Sequence, residues 1–214
     1  MVLSFAIYYA LLILIDLLSI TIWHSLSRPE KFLAVLIWIT SLDEGLVFLL
    51  QQQHKLTAII YHIYSPIELF FLSLYFQESV PALKRLRISI GIAVIAIGWA
   101  VINAQFFQPL NTVNTNFLLL ESAMVIIFCL AALRQILLED VRPAYKFRLF
   151  WLACLLLIYW SVTFTGWGLF TLLAHQQSVV HQLFFQVLSS INLVLYTGIV
   201  LVFINHKKLI PSGG

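Results

Sequence analysis

Seven long apolar runs dominate this sequence and limit the folds open to it. A helix rises about 1.5 Å per residue and the hydrocarbon core of a bilayer is about 30 Å thick, so a helical span needs about 20 apolar residues. The runs cover residues 3–23, 32–51, 57–77, 86–107, 115–136, 148–174 and 179–204. We therefore predict an all-α fold, a single seven-transmembrane helix bundle over residues 1–214.

The composition supports a membrane protein. Of the 214 residues, 62% are hydrophobic and 10% are charged, whereas about a quarter of the residues in soluble domains are charged. The chain needs nearly all of its length for the spans, so we expect its function to lie within the helix bundle.

Lys and Arg residues indicate the orientation of the spans. Lys55 falls in a loop on one side, and the other 11 of the 12 Lys and Arg residues fall on the opposite side. They are Arg28, Lys31, Lys84, Arg85, Arg87, Arg134, Arg142, Lys146, Arg148, Lys207 and Lys208. Because short basic loops stay in the cytoplasm, we predict an external N-terminus and a cytoplasmic C-terminus. The same rule explains the positive charge, so we expect no nucleic-acid partner.

Five acidic residues lie within the runs: Asp16, Asp43, Glu44, Glu68 and Glu121. A carboxylate in a span is costly unless it faces the bundle interior, which makes these residues candidates for function. At about 1.5 Å per residue, Glu44 and Glu121 lie roughly 10 Å below the outer surface and Glu68 roughly 16 Å below it. We expect these three to share one outer cavity, and we assign structural roles to Asp16 and Asp43.

Polar and aromatic residues recur at helical spacing in four of the spans, which predicts inward polar faces. The candidate ligand-binding residues are Glu44, His62, Glu68, Glu121, Trp167 and Gln186. Since no Lys or Arg lies deep in a span, an outward-facing acidic pocket suits a cationic ligand or a small molecule with a donor group. The alternative is that these residues join helices through interhelical hydrogen bonds.

The motifs of several cofactor and enzyme classes are absent. The seventh span has no lysine for a retinal Schiff base, and neither Glu-x-x-His nor His-Glu-x-x-His occurs. Carboxylates and one imidazole on separate helices are a weak metal signal. We therefore predict no metal and no cofactor, and an enzyme is less expected than a binding protein.

Gly91 and Gly98 lie seven residues apart in the fourth span. Small residues on one face allow two membrane helices to approach closely. We expect these two glycines to form such a face.

Two segments carry a family resemblance: Tyr64-Ser65-Pro66-Ile67-Glu68, and residues 106–116 with the sequence FFQPLNTVNTN, continuing through Leu118–Ser122. In these segments, and at His181 and Asn192, the chain resembles a family of small bacterial seven-helix membrane proteins often encoded beside sensor histidine kinases. The resemblance implies an inner-membrane protein that is the sensory partner of a kinase. It implies no particular activity.

Pro66-Ile67-Glu68 is also similar to the Pro-x-Glu-Glu helices of membrane lycopene cyclases, although Leu69 stands in place of the second acid. This weaker resemblance implies Glu68 as the general acid of an enzyme that acts on a lipid or isoprenoid.

The leading hypothesis is a sensory or ligand-binding membrane module. It would sit in the bacterial inner (plasma) membrane and signal through a partner such as a histidine kinase at its cytoplasmic face. The alternatives are a lycopene-cyclase-like membrane enzyme and a proton or cation transporter.

Overall fold

The computed structural model of the protein describes residues 2–53, 57–139, 142–173 and 178–212. Within these ranges the chain is helical, and the long helices coincide with the predicted apolar runs. They are α1 (Val2–Thr21), α2 (Arg28–Gln52), α3 (Ala58–Ser79), α4 (Ile88–Phe106), α5 (Thr115–Glu139), α6 (Arg148–Leu173) and α7 (Ser178–Ile204). Three short helical segments cover Trp23–Ser25, Pro81–Leu86 and Ala144–Lys146.

The described helices have the length and composition of membrane spans. Among the described residues, the 6 helices α2 to α7 are long and apolar enough to cross a bilayer, and α1 contributes a shorter apolar segment, Ala6–Thr21. The prediction of an all-helical, multi-pass membrane protein is confirmed. Lys55 and the side chain of His181 lie outside the described part of the chain.

The start of α2 differs from its predicted run, which begins at residue 32. The helix begins at Arg28 because its first turn carries two start signals. Pro29 occupies the first turn, where its missing N–H is not needed. The Glu30 carboxylate accepts a hydrogen bond from the backbone N–H of Ser27 at 2.9 Å, which satisfies an amide that the helix leaves free.

Six of the helices form a closed ring. In order around the ring they are α1, α2, α3, α5, α6 and α7, and α7 returns to contact α1. α4 lies outside the ring, where it contacts α3 and α5. Side chains from the six ring helices can therefore meet in one interior.

The buried face of α4 has alanines at its centre and the polar residues Ser89 and Asn103 at its ends. Ala93, Ala96 and Ala100 are buried, whereas a Cβ atom added at Gly91 or Gly98 would have no neighbour within 4 Å. The expectation that the two glycines mediate close approach within this chain is wrong. Both residue sets satisfy the small-residue rule, and only the contacts of α4 distinguish them.

The two ends of the bundle are built differently. At the basic end, where α2 and α6 begin, the chain after α7 folds back so that Ile210 pairs in parallel with Phe147. Arg148 N–H donates to the Ile210 carbonyl at 3.0 Å, and Ile210 N–H donates to the Lys146 carbonyl at 2.7 Å. At the opposite end, which we call the loop end, residues 107–114 connect α4 to α5.

Candidate ligand-binding site

The interior of the ring contains acidic and tyrosine side chains from all six ring helices. Glu68 of α3 lies within electrostatic range of Glu44 on α2 and of Glu121 on α5. Tyr159 of α6 and Tyr196 of α7 also lie within range of Glu68. We use the term acid–tyrosine cluster for Tyr8, Asp43, Glu44, Tyr64, Glu68, Glu121, Tyr159 and Tyr196. Two of the predicted residues, Glu44 and Glu121, thus lie near a third, Glu68.

Hydrogen bonds fix the part of the cluster that lies between α1, α2 and α3. The Tyr8 hydroxyl donates to Glu44 Oε1 at 3.0 Å. The Thr40 hydroxyl donates to the Leu36 carbonyl at 3.0 Å and lies 2.7 Å from the Tyr64 hydroxyl. Because the Thr40 hydrogen is used on the carbonyl, Tyr64 is the donor in that pair. These bonds hold Glu44 and Tyr64 in place.

Aromatic contact joins α1 to α7 beside these bonds. The rings of Tyr8 and Tyr196 meet edge to face, with centroids 5.4 Å apart and an interplanar angle of 70°. An edge-to-face pair is a favourable aromatic geometry. Tyr8 therefore contacts both helices that neighbour α1 in the ring, α2 and α7.

Glu121 differs from the other acids of the cluster in being fully buried without a hydrogen-bond partner among the described residues. Its side chain is 0% exposed, and among the described residues neither carboxyl oxygen has a partner. The hydroxyl of Thr163, also buried, is likewise without a partner there. A buried carboxyl group without donors is costly unless it carries a proton or meets a cation or an N–H group. Glu121 is thus the member of the cluster best suited to contact a ligand.

His62 lies at the loop end. Its side chain is buried, and Nε2 lies 2.9 Å from the carbonyl oxygen of Thr112. Since a carbonyl only accepts, Nε2 carries the hydrogen in this bond. Nδ1 has no partner among the described residues. His62 therefore ties the loop at residue 112 to α3.

An amide network closes the loop end. Asn103 Nδ2 donates to Asn114 Oδ1 at 2.7 Å and to Gln108 Oε1 at 3.1 Å, and Asn103 Oδ1 accepts from Asn116 Nδ2 at 3.0 Å. Gln108 Nε2 donates to the Thr115 hydroxyl at 2.7 Å. The polar residues in 106–116 that carry the family resemblance thus have a structural role, because they fold the connection between α4 and α5.

The structure does not bring Trp167 and Gln186 to the acid–tyrosine cluster. Trp167 meets the ring of Phe184 edge to face, with centroids 5.0 Å apart, in a contact between α6 and α7. Gln186 is exposed and lines a groove between these helices. On α7, Tyr196 is buried against the ring interior, whereas Gln186 is exposed.

Sequence reasoning missed Asp43 and the tyrosines. Asp43 was assigned a structural role because it lies about 100° around α2 from Glu44, yet both lie within electrostatic range of Glu68. The sequence does contain a signal for one of the tyrosines. Tyr64 precedes Glu68 by four residues, a spacing that puts both on one face of α3.

The described residues also bear on metal binding. Among them, no group of three or more His, Cys, Asp or Glu side chains is arranged to hold a metal ion. Glu68 lies near Glu44 and near Glu121, but the imidazole predicted to share their site, that of His62, bonds to the loop instead.

Comparison with known proteins leaves the residues themselves as the basis for a function. No protein-family model, no curated protein and no solved structure matches the chain. The acid–tyrosine cluster is the feature of the described chain with the most distinctive chemistry.

Proposed function

We propose that this protein is a seven-helix sensory or ligand-binding module of the bacterial inner membrane, with its N-terminus outside and its C-terminus in the cytoplasm. The ligand is a small molecule or ion that carries positive charge or an N–H group. It binds in the acid–tyrosine cluster and changes the balance between conformations of the bundle. A partner at the basic end, such as a histidine kinase, reads that change.

The observation that carries the proposal is the unpartnered carboxyl group of Glu121 beside Glu68. Two neighbouring carboxyl groups without a basic side chain between them favour an incoming cation. Tyrosine rings add to this preference, since their faces attract ammonium groups. An anionic ligand would meet repulsion at the same site.

The arrangement of the bundle supports a signalling role. The acid–tyrosine cluster receives side chains from all six helices of the ring, so a ligand there contacts elements that also meet at the basic end. The excess of Lys and Arg at that end supports its cytoplasmic placement. A ligand must bind two conformations with different affinity in order to act as a signal.

A thermal-shift experiment tests the ligand class. The purified protein in lipid nanodiscs is heated with methylammonium chloride, tetramethylammonium chloride or sodium chloride at equal ionic strength. We expect methylammonium, which supplies N–H donors, to raise the melting temperature the most, because a ligand that binds the native state stabilises it. Glu121→Gln should remove that increase, since the amide replaces the carboxylate with a neutral group.

Glu78→Gln is the matched control, because Glu78 pairs with Lys84 at the basic end and lies outside the cluster. It should keep the methylammonium effect. Equal shifts for the three salts, or an unchanged shift in Glu121→Gln, would show that Glu121 does not bind such a ligand.

A further inference from the structure

Residues 205–212, which follow α7, fold back onto the basic end of the bundle and are held there through their main chain. The carbonyl of His206 accepts a hydrogen bond from Arg148 Nη2. The carbonyl of Ile210 accepts from the Arg148 N–H at 3.0 Å, and the Ser212 N–H donates to Glu30 Oε1 at 3.0 Å. The segment is thus docked against the starts of α2 and α6.

The docked segment covers part of α3. The Tyr75 hydroxyl lies near the hydroxyls of Ser79 and Ser212, and all three side chains are buried. Tyr75 and Ser79 belong to α3, whereas Ser212 belongs to the docked segment. Ser212 therefore lies over a polar patch of α3 at the basic end, formed by Tyr75 and Ser79.

The three hydroxyls lie near one another without bonding. Among the described residues, none of the hydroxyls of Tyr75, Ser79 and Ser212 has a hydrogen-bond partner. A buried hydroxyl without a partner has lost the hydrogen bonds that it makes to water, which favours any conformation that lets water return. The main-chain bonds thus favour the docked segment, and the three hydroxyls oppose it.

The polar patch lies on the same face of α3 as Glu68 of the acid–tyrosine cluster. Tyr75 follows Glu68 by seven residues, which is two helical turns or about 10 Å along the axis. Leu72, four residues after Glu68, shares this face and is buried. The bundle interior therefore continues along α3 from the cluster to the docked segment.

We propose that residues 205–212 are a latch, which alternates between the docked position and a released one. On release, Tyr75 and Ser79 gain hydrogen bonds to water and the bundle interior opens at the basic end. Local opening of this kind requires less free energy than unfolding of the bundle. Glu30 and Arg148 also contact each other directly, at 2.6 Å, so α2 and α6 stay joined when the latch leaves. The two positions exist whether or not the cluster binds a cation.

Hydrogen exchange of the protein in nanodiscs, measured by mass spectrometry, tests the release. We expect amides in residues 209–212 to exchange at least about a hundredfold faster than those in residues 68–76 of α3. Tyr75→Phe removes an unpartnered buried hydroxyl and keeps the ring, so it should slow exchange in the latch by about fivefold or more. Tyr145→Phe is the matched control, because Tyr145 is exposed, and it should leave that exchange unchanged.

Thiol labelling tests whether release opens the interior. Ser79→Cys, in a background in which Cys129 and Cys154 are replaced by alanine, is treated with a membrane-impermeant thiol reagent. We expect slow but complete labelling, and Tyr75→Phe should slow it by the same factor as the exchange.

Three results would overturn the proposal. The first is exchange in residues 209–212 as slow as that in α3, and the second is exchange that Tyr75→Phe leaves unchanged or speeds up. The third is a Ser79→Cys thiol that stays unlabelled while the latch exchanges, because the segment then frays without opening the interior.

Discussion

Arg148 at the start of α6 and Glu30 in the first turn of α2 form a buried ion pair, with Arg148 Nη1 and Glu30 Oε2 2.6 Å apart. Glu30 is 0% exposed and Arg148 is 5% exposed. Glu30 Oε1 also accepts a hydrogen bond from the backbone N–H of Ser212 at 3.0 Å, and Arg148 Nη2 donates to the carbonyl of His206. One ion pair thus joins α2, α6 and the segment that follows α7.

The first prediction concerns this ion pair. Arg148→Met leaves the Glu30 carboxylate buried without its cation, so we expect it to lower the free energy of unfolding by about 3–5 kcal/mol. SDS titration of the protein in mixed micelles measures the change.

Lys84→Met is the control, because the Lys84 side chain is 57% exposed and Glu78 keeps Arg28 at 3.9 Å as a second cation. An ion pair with an exposed cation contributes less than about 1 kcal/mol. If the two variants lost the same free energy, the buried pair would have no special role in stability.

The second prediction concerns the amide network at the loop end. Asn103→Leu removes three side-chain hydrogen bonds and leaves the fully buried Asn114 without its partner. An orphaned buried polar group costs about 1–3 kcal/mol. We expect faster hydrogen exchange over residues 107–116, measured by mass spectrometry. Asn111→Ala changes an exposed residue of the same loop and should leave exchange at Asn116 unchanged. Unaltered exchange in Asn103→Leu would mean that other contacts hold the loop.

The third prediction concerns the contact of α7 with α6. A Cβ atom at Gly198 would overlap both methyl carbons of Leu155 and lie 3.0 Å from its Cγ. Overpacking of this kind costs about 1–3 kcal/mol, so Gly198→Ala should destabilise the protein in SDS titration. A second substitution, Leu155→Ala, provides space and should recover part of the loss that Gly198→Ala causes.

Gly98→Ala is the matched control for this prediction. It adds the same methyl group to a position with no neighbour within 4 Å. We expect no loss and a gain of up to about 1 kcal/mol, because alanine favours the helix over glycine. Greater destabilisation by Gly98→Ala than by Gly198→Ala would contradict the helix contacts described above.

The positions of the helices could be predicted closely from the sequence, because an apolar chain in lipid must satisfy its backbone hydrogen bonds internally. α6 was predicted over 148–174 and is observed over Arg148–Leu173. The largest difference is at the start of α2, which was predicted at residue 32 and is observed at Arg28, so that Glu30 lies in the first turn as a buried ion-pair partner.

The candidate site could be predicted only in part. A carboxyl group within a membrane span costs free energy, so an acid in an apolar run is a candidate for function. Glu44, Glu68 and Glu121 were predicted in this way. Tyrosines do not stand out in the same way, because tyrosine is tolerated both in a bundle interior and at its surface. Tyr8 and Tyr196 were assigned to the cluster only from the structure, by the contact of their rings and by the hydrogen bond from Tyr8 to Glu44.

The sequence by itself determined that this chain forms long apolar helices and which of their residues are too polar for lipid. The tertiary structure decided which face of each helix points inward. In a soluble protein the outward face of a helix meets water and is polar, so the hydrophobic pattern shows which face is buried. In a membrane both the bundle interior and the lipid are apolar, so the pattern does not show which face of a helix points inward. Gln186 and Glu121 are both polar residues within spans. Only the contacts among helices put Glu121 inside the ring and Gln186 on its surface.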